Sequence, residues 1–162
     1  MKKDANDYLF NEAIKYLGKY PATRKKIKEH LKKKIKDKKT YTRAVFTEGA
    51  NKEEIIDKII ERLDKLKIIN EEHFIESIFH YYQRSLFSIR KIKNKLFQKG
   101  FDQKVVDEFI DQKFIENPEL EIEILKQYIV KKKLTNLEES DLKKKLYQQS
   151  FSENSIFRVI KD

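Results

Sequence analysis

The sequence predicts an all-α fold, built as three tandem three-helix, helix-turn-helix-like repeats that form an elongated, curved molecule. Three observations carry that reading. Gly (3) and Pro (2) are too scarce for a turn-rich β fold. Charged residues make up 40% of the chain, and the apolar residues between them recur at helical spacing. The third is a block of about fifty residues that recurs along the chain. Residues 96–110 read LFQKGFDQKVVDEFI and residues 146–160 read LYQQSFSENSIFRVI. Leu96 pairs with Leu146, Phe97 with Tyr147, Gln98 with Gln148, Phe101 with Phe151, Val106 with Ile156, Phe109 with Val159 and Ile110 with Ile160. Upstream, Ile55, Ile56, Ile59 and Ile60 match Val105, Val106, Phe109 and Ile110. Repeats of this length are stacked supersecondary units, which present surfaces rather than enclose reactions.

The blocks are assigned to residues 7–69, 70–115 and 116–162. In the first, Leu9, Phe10, Ala13, Ile14 and Leu17 form a helical stripe that ends around Gly18 and Pro21. Thr23 is the N-cap of a second helix with Ile27, Leu31 and Ile35 inward. About fifteen extra residues then precede Ile55, by comparison with the middle block. Part of them is expected to extend the second helix, and residues 40–50 to form a loop. A strand through Tyr41–Phe46 has no evident partner.

In the middle block Asn70 caps a helix with Phe74, Ile75, Ile78, Phe79 and Tyr82 on one face. Glu71, Glu72 and Glu76 lie toward the positive end of its dipole. Ser88 caps the next helix, which carries Ile89, Ile92 and Leu96 inward and ends at Gly100, where a left-handed residue is wanted. Asp102 caps a third, with Val105, Val106, Phe109 and Ile110 buried. The last block opens at Asn117-Pro118, with Pro at the first helical position. Leu120, Ile124, Leu125, Tyr128 and Ile129 face inward, followed by Leu142 and Leu146. Ser150 stands in for the glycine and Ser152 for the Asp cap. Helices this short are marginal alone, so packing between them must supply the stability.

The chain has no run of 18 apolar residues, and Met1-Lys2-Lys3-Asp4 leads into polar sequence without a signal-peptide pattern. A soluble, cytoplasmic protein is expected. The absence of cysteine excludes a disulfide frame and thiolate chemistry. The net charge of +10 points to a polyanionic partner. Lys outnumbers Arg 31 to 6 and Ile outnumbers Leu 20 to 13, so part of the basicity reflects an AT-rich codon bias.

The charge is concentrated. Between Arg24 and Lys39 lie ten Lys or Arg and two acids, Glu29 and Asp37, a net +8. On an amphipathic helix this makes a rail for phosphates, with Arg24, Lys25, Lys28 and Lys32 as the candidate contacts. A second strip runs through Arg84, Arg90, Lys91, Lys93, Lys95 and Lys99, of which Arg84, Arg90, Lys91 and Lys95 are the candidates. Arg84, Lys91 and Lys95 can share a side. A third strip joins Lys131–Lys133 to Lys143–Lys145. Among the aromatic residues, Tyr81 stands off the core stripe and is the candidate for base stacking. His73, Glu76 and His80 share a helical side, but two His and one carboxylate on one exposed helix are an incomplete metal site. No Gly-rich phosphate loop, nucleophile elbow or triad is present. A non-enzymatic binding protein without metal or cofactor is expected, acting as a monomer.

Three stretches resemble the RecX family of RecA regulators. One is Ile68-Ile69-Asn70-Glu71-Glu72-His73-Phe74-Ile75-Glu76, and the second is Ile89-Arg90-Lys91-Ile92-Lys93-Asn94-Lys95-Leu96-Phe97-Gln98-Lys99-Gly100-Phe101-Asp102. The third is Ala13-Ile14-Lys15-Tyr16-Leu17 with Tyr20-Pro21-Ala22-Thr23-Arg24. Their order and spacing cover nearly the whole chain. Departures are Asn70 for the usual Asp, Ile75 where Ala is common, Phe87 in a turn that often holds Gly, and Ser150 for Gly. The resemblance implies tandem three-helix repeats lying along the RecA filament on single-stranded DNA. It implies contact with RecA, hindrance of filament extension, ATPase and strand exchange, and a place in DNA repair, recombination and the SOS response. From the residues alone, a general helical DNA- or RNA-binding protein without RecA specificity is the alternative. An adaptor whose lysines are only compositional drift is a third reading.

Overall fold

A computed structural model describes residues 1–161. It is 73% helical, in ten helices among the described residues. The all-α expectation is met. The chain divides into two compact units, Met1–Phe74 and Ile75–Asp162.

The first unit holds α1 (Ala5–Lys19), α2 (Arg24–Lys36), α3 (Lys38–Arg43) and α4 (Lys52–Lys65). Its core takes in most of the stripes read from sequence, with Phe10, Ile14 and Leu17 only partly buried at its edge and Leu63 and Ile69 added. Leu9 and Ala13 of α1 meet Ile27, Leu31 and Ile35 of α2 and Ile55, Ile56, Ile59, Ile60 and Leu63 of α4, with Ile69 closing one end. Thr23 is the α2 N-cap and accepts the Lys26 N–H at 3.3 Å. Asn51 does the same for α4, accepting from Glu53 and Glu54.

The insertion is not the loop expected. The second helix stops at Lys36, and Asp37 caps the separate helix α3 by accepting from Lys39 at 3.0 Å. Buried Thr40 donates to the Lys34 carbonyl at 2.5 Å and holds α3 against the end of α2. Beyond it β2 (Ala44–Val45) pairs in parallel with β1 (Lys3–Asp4), in the register Lys3↔Ala44 and Asp4↔Val45. The strand therefore has a partner, supplied by residues some forty positions earlier that no local pattern reveals. The first helix also starts earlier than residue 7, at Ala5, because Asp4 accepts the Asn6 N–H at 2.8 Å.

The second unit takes in α5 (Glu71–Arg84) from Ile75 onward. It continues through α6 (Ile89–Gln98), α7 (Gln103–Glu116), α8 (Leu120–Lys131), α9 (Glu139–Gln148) and α10 (Glu153–Lys161). Positions paired in sequence share local structure. Leu96 and Leu146 are both fully buried, as are Val106 and Ile156, and Phe101 and Phe151 are nearly so. Gly100 and Ser150 both take positive φ, at 96° and 64°.

Two expectations need correction here. Val105 is 41% exposed and Phe109 only half-buried against Phe79, because Val106 and Ile110 are the α7 residues that lie in the core. Pro118 is not the first helical residue. It sits in a turn closed by Asn117, whose side chain accepts from the Glu119 N–H at 3.1 Å, and α8 begins at Leu120. Asp102 occupies its cap position without a side-chain cap bond. Ser152 makes one, accepting the Ser155 N–H at 3.2 Å.

Five helix ends share one solution. After α4, α5, α6, α8 and α9 the residues Lys67, Leu86, Gly100, Lys133 and Ser150 adopt positive φ. Each N–H returns three residues, and the next N–H returns five, as in Phe101 to Leu96 and Leu134 to Ile129. This is the Schellman closure, which satisfies carbonyls the helix leaves bare. The residue after each turn is apolar or aromatic (Ile68, Phe87, Phe101, Leu134, Phe151), as is the residue five positions back, and Phe87 stacks on Tyr82. Four of the five left-handed positions carry a side chain, at a conformational cost that glycine would relieve.

Glu121 is the buried carboxylate of the second unit, 6% exposed. One oxygen accepts the Ile89 N–H at the start of α6 (3.1 Å). The other accepts the Ser152 N–H at the start of α10 (2.7 Å). A single side chain thus closes two helix N-termini, each favourable to negative charge.

Two stability measurements follow. Ser150→Gly should raise unfolding stability by roughly 0.5–1 kcal/mol in urea titration, since it removes a side chain from the left-handed region. Glu121→Gln should lose about 2 kcal/mol, because an amide has one acceptor oxygen for two buried N–H groups. A change under about 0.5 kcal/mol would mean that the bifurcated cap contributes little.

Candidate nucleic-acid interface

On α2, burial of Ile27, Leu31 and Ile35 turns Lys25, Lys32, Lys33 and Lys36 to solvent. None of these four is ion-paired among the described residues. Lys25, Lys32 and Lys36 recur at i, i+7 and i+11, a straight stripe along one side. The other cations are committed internally. Lys26 reaches Glu29 (3.4 Å), Lys28 reaches Asp57 on α4 (3.0 Å) and Lys34 reaches Glu12 on α1 (3.1 Å).

Arg24 is the most committed. Its Nε and Nη2 grip both oxygens of Asp64 at 3.0 and 2.5 Å, and Nη1 lies 3.1 Å from Glu71. Glu71 also accepts the Arg24 backbone N–H at 2.7 Å. The Asp64 hydrogen bonds raise the Arg24 pKa, against a smaller opposing effect of burial. Arg24 therefore fastens the start of α2 to α4 and α5, through a bidentate geometry that Lys could not supply. Of the first-block candidates, Lys25 and Lys32 are free. Lys28 is half-buried and paired, and Arg24 is a clamp.

Burial would by itself push the Glu12 carboxyl up, but Lys34 and Lys15 together hold it below its usual value of 4.5. His30 stacks on Tyr16 with ring centroids 4.1 Å apart. Burial, with help from Lys34 and Lys33, holds the imidazole below its usual 6.5, while Glu12 pulls the other way.

In the second unit Arg84 and Arg90 are exposed and without ion pairs among the described residues. Lys91 and Lys95 lie on one edge of α6 over aromatic rings. The Lys91 ammonium is 5.5 Å from the Phe87 centroid, and that of Lys95 is 5.9 Å from Tyr82. Tyr82 stacks on Phe87 at 5.0 Å, and Tyr81, 60% exposed, stands edge-on to Tyr82 at 5.1 Å. The structure thus gathers Tyr81, Lys91 and Lys95 around Tyr82 and Phe87. Arg90 is turned about 140° from Lys95 around the helix. It lines a separate hollow of about 820 Å³ with Phe97, Tyr147 and Arg158.

Lys91 also hydrogen-bonds the Gln149 side chain, and Ser88 donates to the Gln149 carbonyl at 2.9 Å. The end of α9 therefore closes on the start of α6, a juxtaposition of residues about sixty positions apart that no spacing foretold. Glu76, set beside His73 and His80 in the sequence reading, accepts from Lys113 of α7 at 2.8 Å. Its other oxygen lies 3.2 Å from the His80 Nε2, an ion-pair distance without hydrogen-bond alignment. Among the described residues no group of three His, Cys, Asp or Glu is placed to hold a metal. No described helix is long and apolar enough to cross a membrane.

No family model matches the chain. The regulatory protein RecX of Caldanaerobacter subterraneus subsp. tengcongensis is 26% identical over 108 residues, covering 67% of this chain and 54% of that protein. The regulatory protein RecX of Chlorobium phaeobacteroides is 34% identical over 102 residues, covering 62% and 58%. The crystal structure of RecX from Lactobacillus salivarius superposes with a TM-score of 0.72 at 20% identity, over 97% of this chain and 95% of that one. The chain is a sequence relative of the RecX proteins and shares their fold. A second RecX crystal structure agrees, with a TM-score of 0.69 at 18% identity, over 98% of this chain and 72% of its own. In each curated RecX relative the matched region is little more than half the protein's length.

The pH dependence of stability tests the α1–α2 contact. A carboxyl held below its ordinary value is charged in the fold where the unfolded chain binds a proton, so stability falls as pH drops below 4.5. A depressed imidazole acts in the same direction, with the loss beginning as pH falls through 6.5. Urea midpoints of His30→Gln should therefore be flatter than wild type between pH 7 and 5. Glu12→Gln should flatten the limb below pH 4.5 instead.

Proposed function

We propose that this chain is a non-enzymatic regulator that binds RecA and its filament on DNA. In this reading it hinders filament extension, ATP hydrolysis and strand exchange, and works as a monomer in the cytoplasm. The three-block division at 7–69, 70–115 and 116–162 belongs to the same proposal, with each block offering a face to a repeating partner. The observation that carries the reading is the unpaired basic stripe of α2, Lys25, Lys32, Lys33 and Lys36, on a chain with a RecX fold. Three cations aligned along α2 with Lys33 beside them, the other cations of that helix being paired with acids of the same unit, suit a partner that supplies negative charge in a row. The names of the sequence relatives, both regulatory proteins RecX, support the regulatory role. In the second unit Arg84 and Lys95 add accessible charge, and Tyr81 an accessible ring.

The test is charge reversal at residues the fold does not use. Lys25→Glu, Lys32→Glu and Lys36→Glu together should raise the concentration needed for half-inhibition of DNA-dependent RecA ATPase by tenfold or more, a loss of at least about 1.4 kcal/mol. The circular dichroism spectrum should stay helical. Unchanged inhibition would remove the α2 stripe from the interface. Inhibition absent from the wild-type chain, with DNA binding intact, would favour a general nucleic-acid binder.

A further inference from the structure

In the second unit the second and third basic strips of the sequence converge. Two small hollows adjoin there, of about 200 and 250 Å³, sharing Tyr128, Lys132 and Gln149 in their walls. The first adds Phe87 and Lys91, and the second adds Lys145. No carboxylate lines either hollow among the described residues. Lys132, Lys145 and Lys91 make no ion pair among the described residues, the first two are exposed, and Lys91 meets the Gln149 amide and the Phe87 ring. The larger hollow beside Arg90 differs. Asp107, Glu121 and Glu153 line it, and two of its cations are already paired, Lys93 with Asp107 and Arg158 with Glu119.

Three lysines and two aromatic rings without an acid are a polyanion site with flat apolar walls. Each hollow is below the about 300–1,000 Å³ usual for a site that engulfs a small molecule. That size fits one nucleotide of a strand that continues past the protein. Tyr128 is half-buried and packs on Phe151 at 5.4 Å, which fixes its ring. Burial also raises its phenol above the usual 10.0.

We infer that this α6–α8–α9 hollow seats single-stranded nucleic acid, with backbone phosphates between Lys91, Lys132 and Lys145 and a base against Tyr128. The inference rests on the regulator reading for its partner, and adds a seat in the last two blocks that neither Tyr81 nor Arg90 lines. The α2 stripe and this hollow are then two separate contacts, one made of charge alone and one of charge with stacking.

Fluorescence anisotropy of the full chain with labelled oligothymidylate tests it. Lys132→Gln with Lys145→Gln should weaken binding about tenfold and lower the log–log salt slope by about 1.4, the loss of two single-strand phosphate contacts. Lys104→Gln with Lys126→Gln, equal in charge and outside the hollow, should cost less than twofold. In the wild-type chain, photo-crosslinking of iodouracil-substituted oligonucleotide should map to Tyr128 or a neighbour in the hollow. Equal losses in the two double variants, crosslinks found only elsewhere, or displacement by polyglutamate as effective as by oligothymidylate would each overturn the site. Displacement by inorganic polyphosphate as effective as by oligothymidylate would overturn the stacked base. RecA ATPase inhibition is scored separately. Intact oligonucleotide binding in the Lys132/Lys145 variant that still inhibits RecA sinks the site and leaves the regulator reading standing. Oligonucleotide binding governed by these lysines in a chain that never inhibits RecA does the reverse.

Discussion

Short helices leave backbone groups bare at their ends, and in this chain two carboxylates, buried Glu121 and half-buried Glu71, close helix starts from another helix. Glu121 takes the first N–H of α6 with one oxygen and an N–H at the entry to α10 with the other. Fifty residues earlier, Glu71 takes the first N–H of α2 with one oxygen and the Arg24 guanidinium with the other. In each case an acid in the first turn of one helix completes the start of an earlier one. The hydrophobic stripes supply most of the stabilisation, but stripes alone allow sliding. A carboxylate fixed to particular N–H groups sets the register between helices, because a one-residue slip would leave a charge buried without partners.

The same device governs where positive charge stays available. The first unit neutralises Arg24, Lys26, Lys28 and Lys34 with acids of its own, while the outer stripe keeps its charge. Division of labour follows side-chain chemistry. Arg24, with its planar fork, is spent on an internal clamp, and compact lysines face outward. The stripe and the hollow near Gln149 also differ in kind. The stripe is charge on an open helix, which in the proposed role would steer and hold without selecting. The hollow combines charge with flat rings, which discriminates a base-bearing polymer from other polyanions.

Much of this was legible in the residues. Caps at Thr23, Ser88 and Ser152 follow from side chains that can reach an N–H two or three positions on, and such local chemistry reads directly. Core stripes at Ile27, Leu31 and Ile35, or Ile89, Ile92 and Leu96, follow from helical periodicity. Most of the failures come from distance along the chain. The partner of Ala44–Val45 is Lys3–Asp4, and Gln149 meets Ser88 and Lys91. Arg24 looked like a free cation because Asp64 and Glu71 lie forty and forty-seven residues away. Val105 looked buried because the match to Ile55 was read by residue type, whereas rotation about α7 turns that position outward.

The left-handed helix ends have a consequence for how such a chain can change. At Ser150 a glycine would only relax the backbone. Lys133 takes the same strained conformation but adjoins Lys132, which walls both small hollows. There the easiest backbone and the charge beside the hollow make opposite demands on one residue. Drift toward a more robust fold would strip charge from the edge of the hollow, and drift toward a stickier surface would keep the turn under tension. Homologues from hot and cold habitats are where that conflict should be resolved in opposite directions.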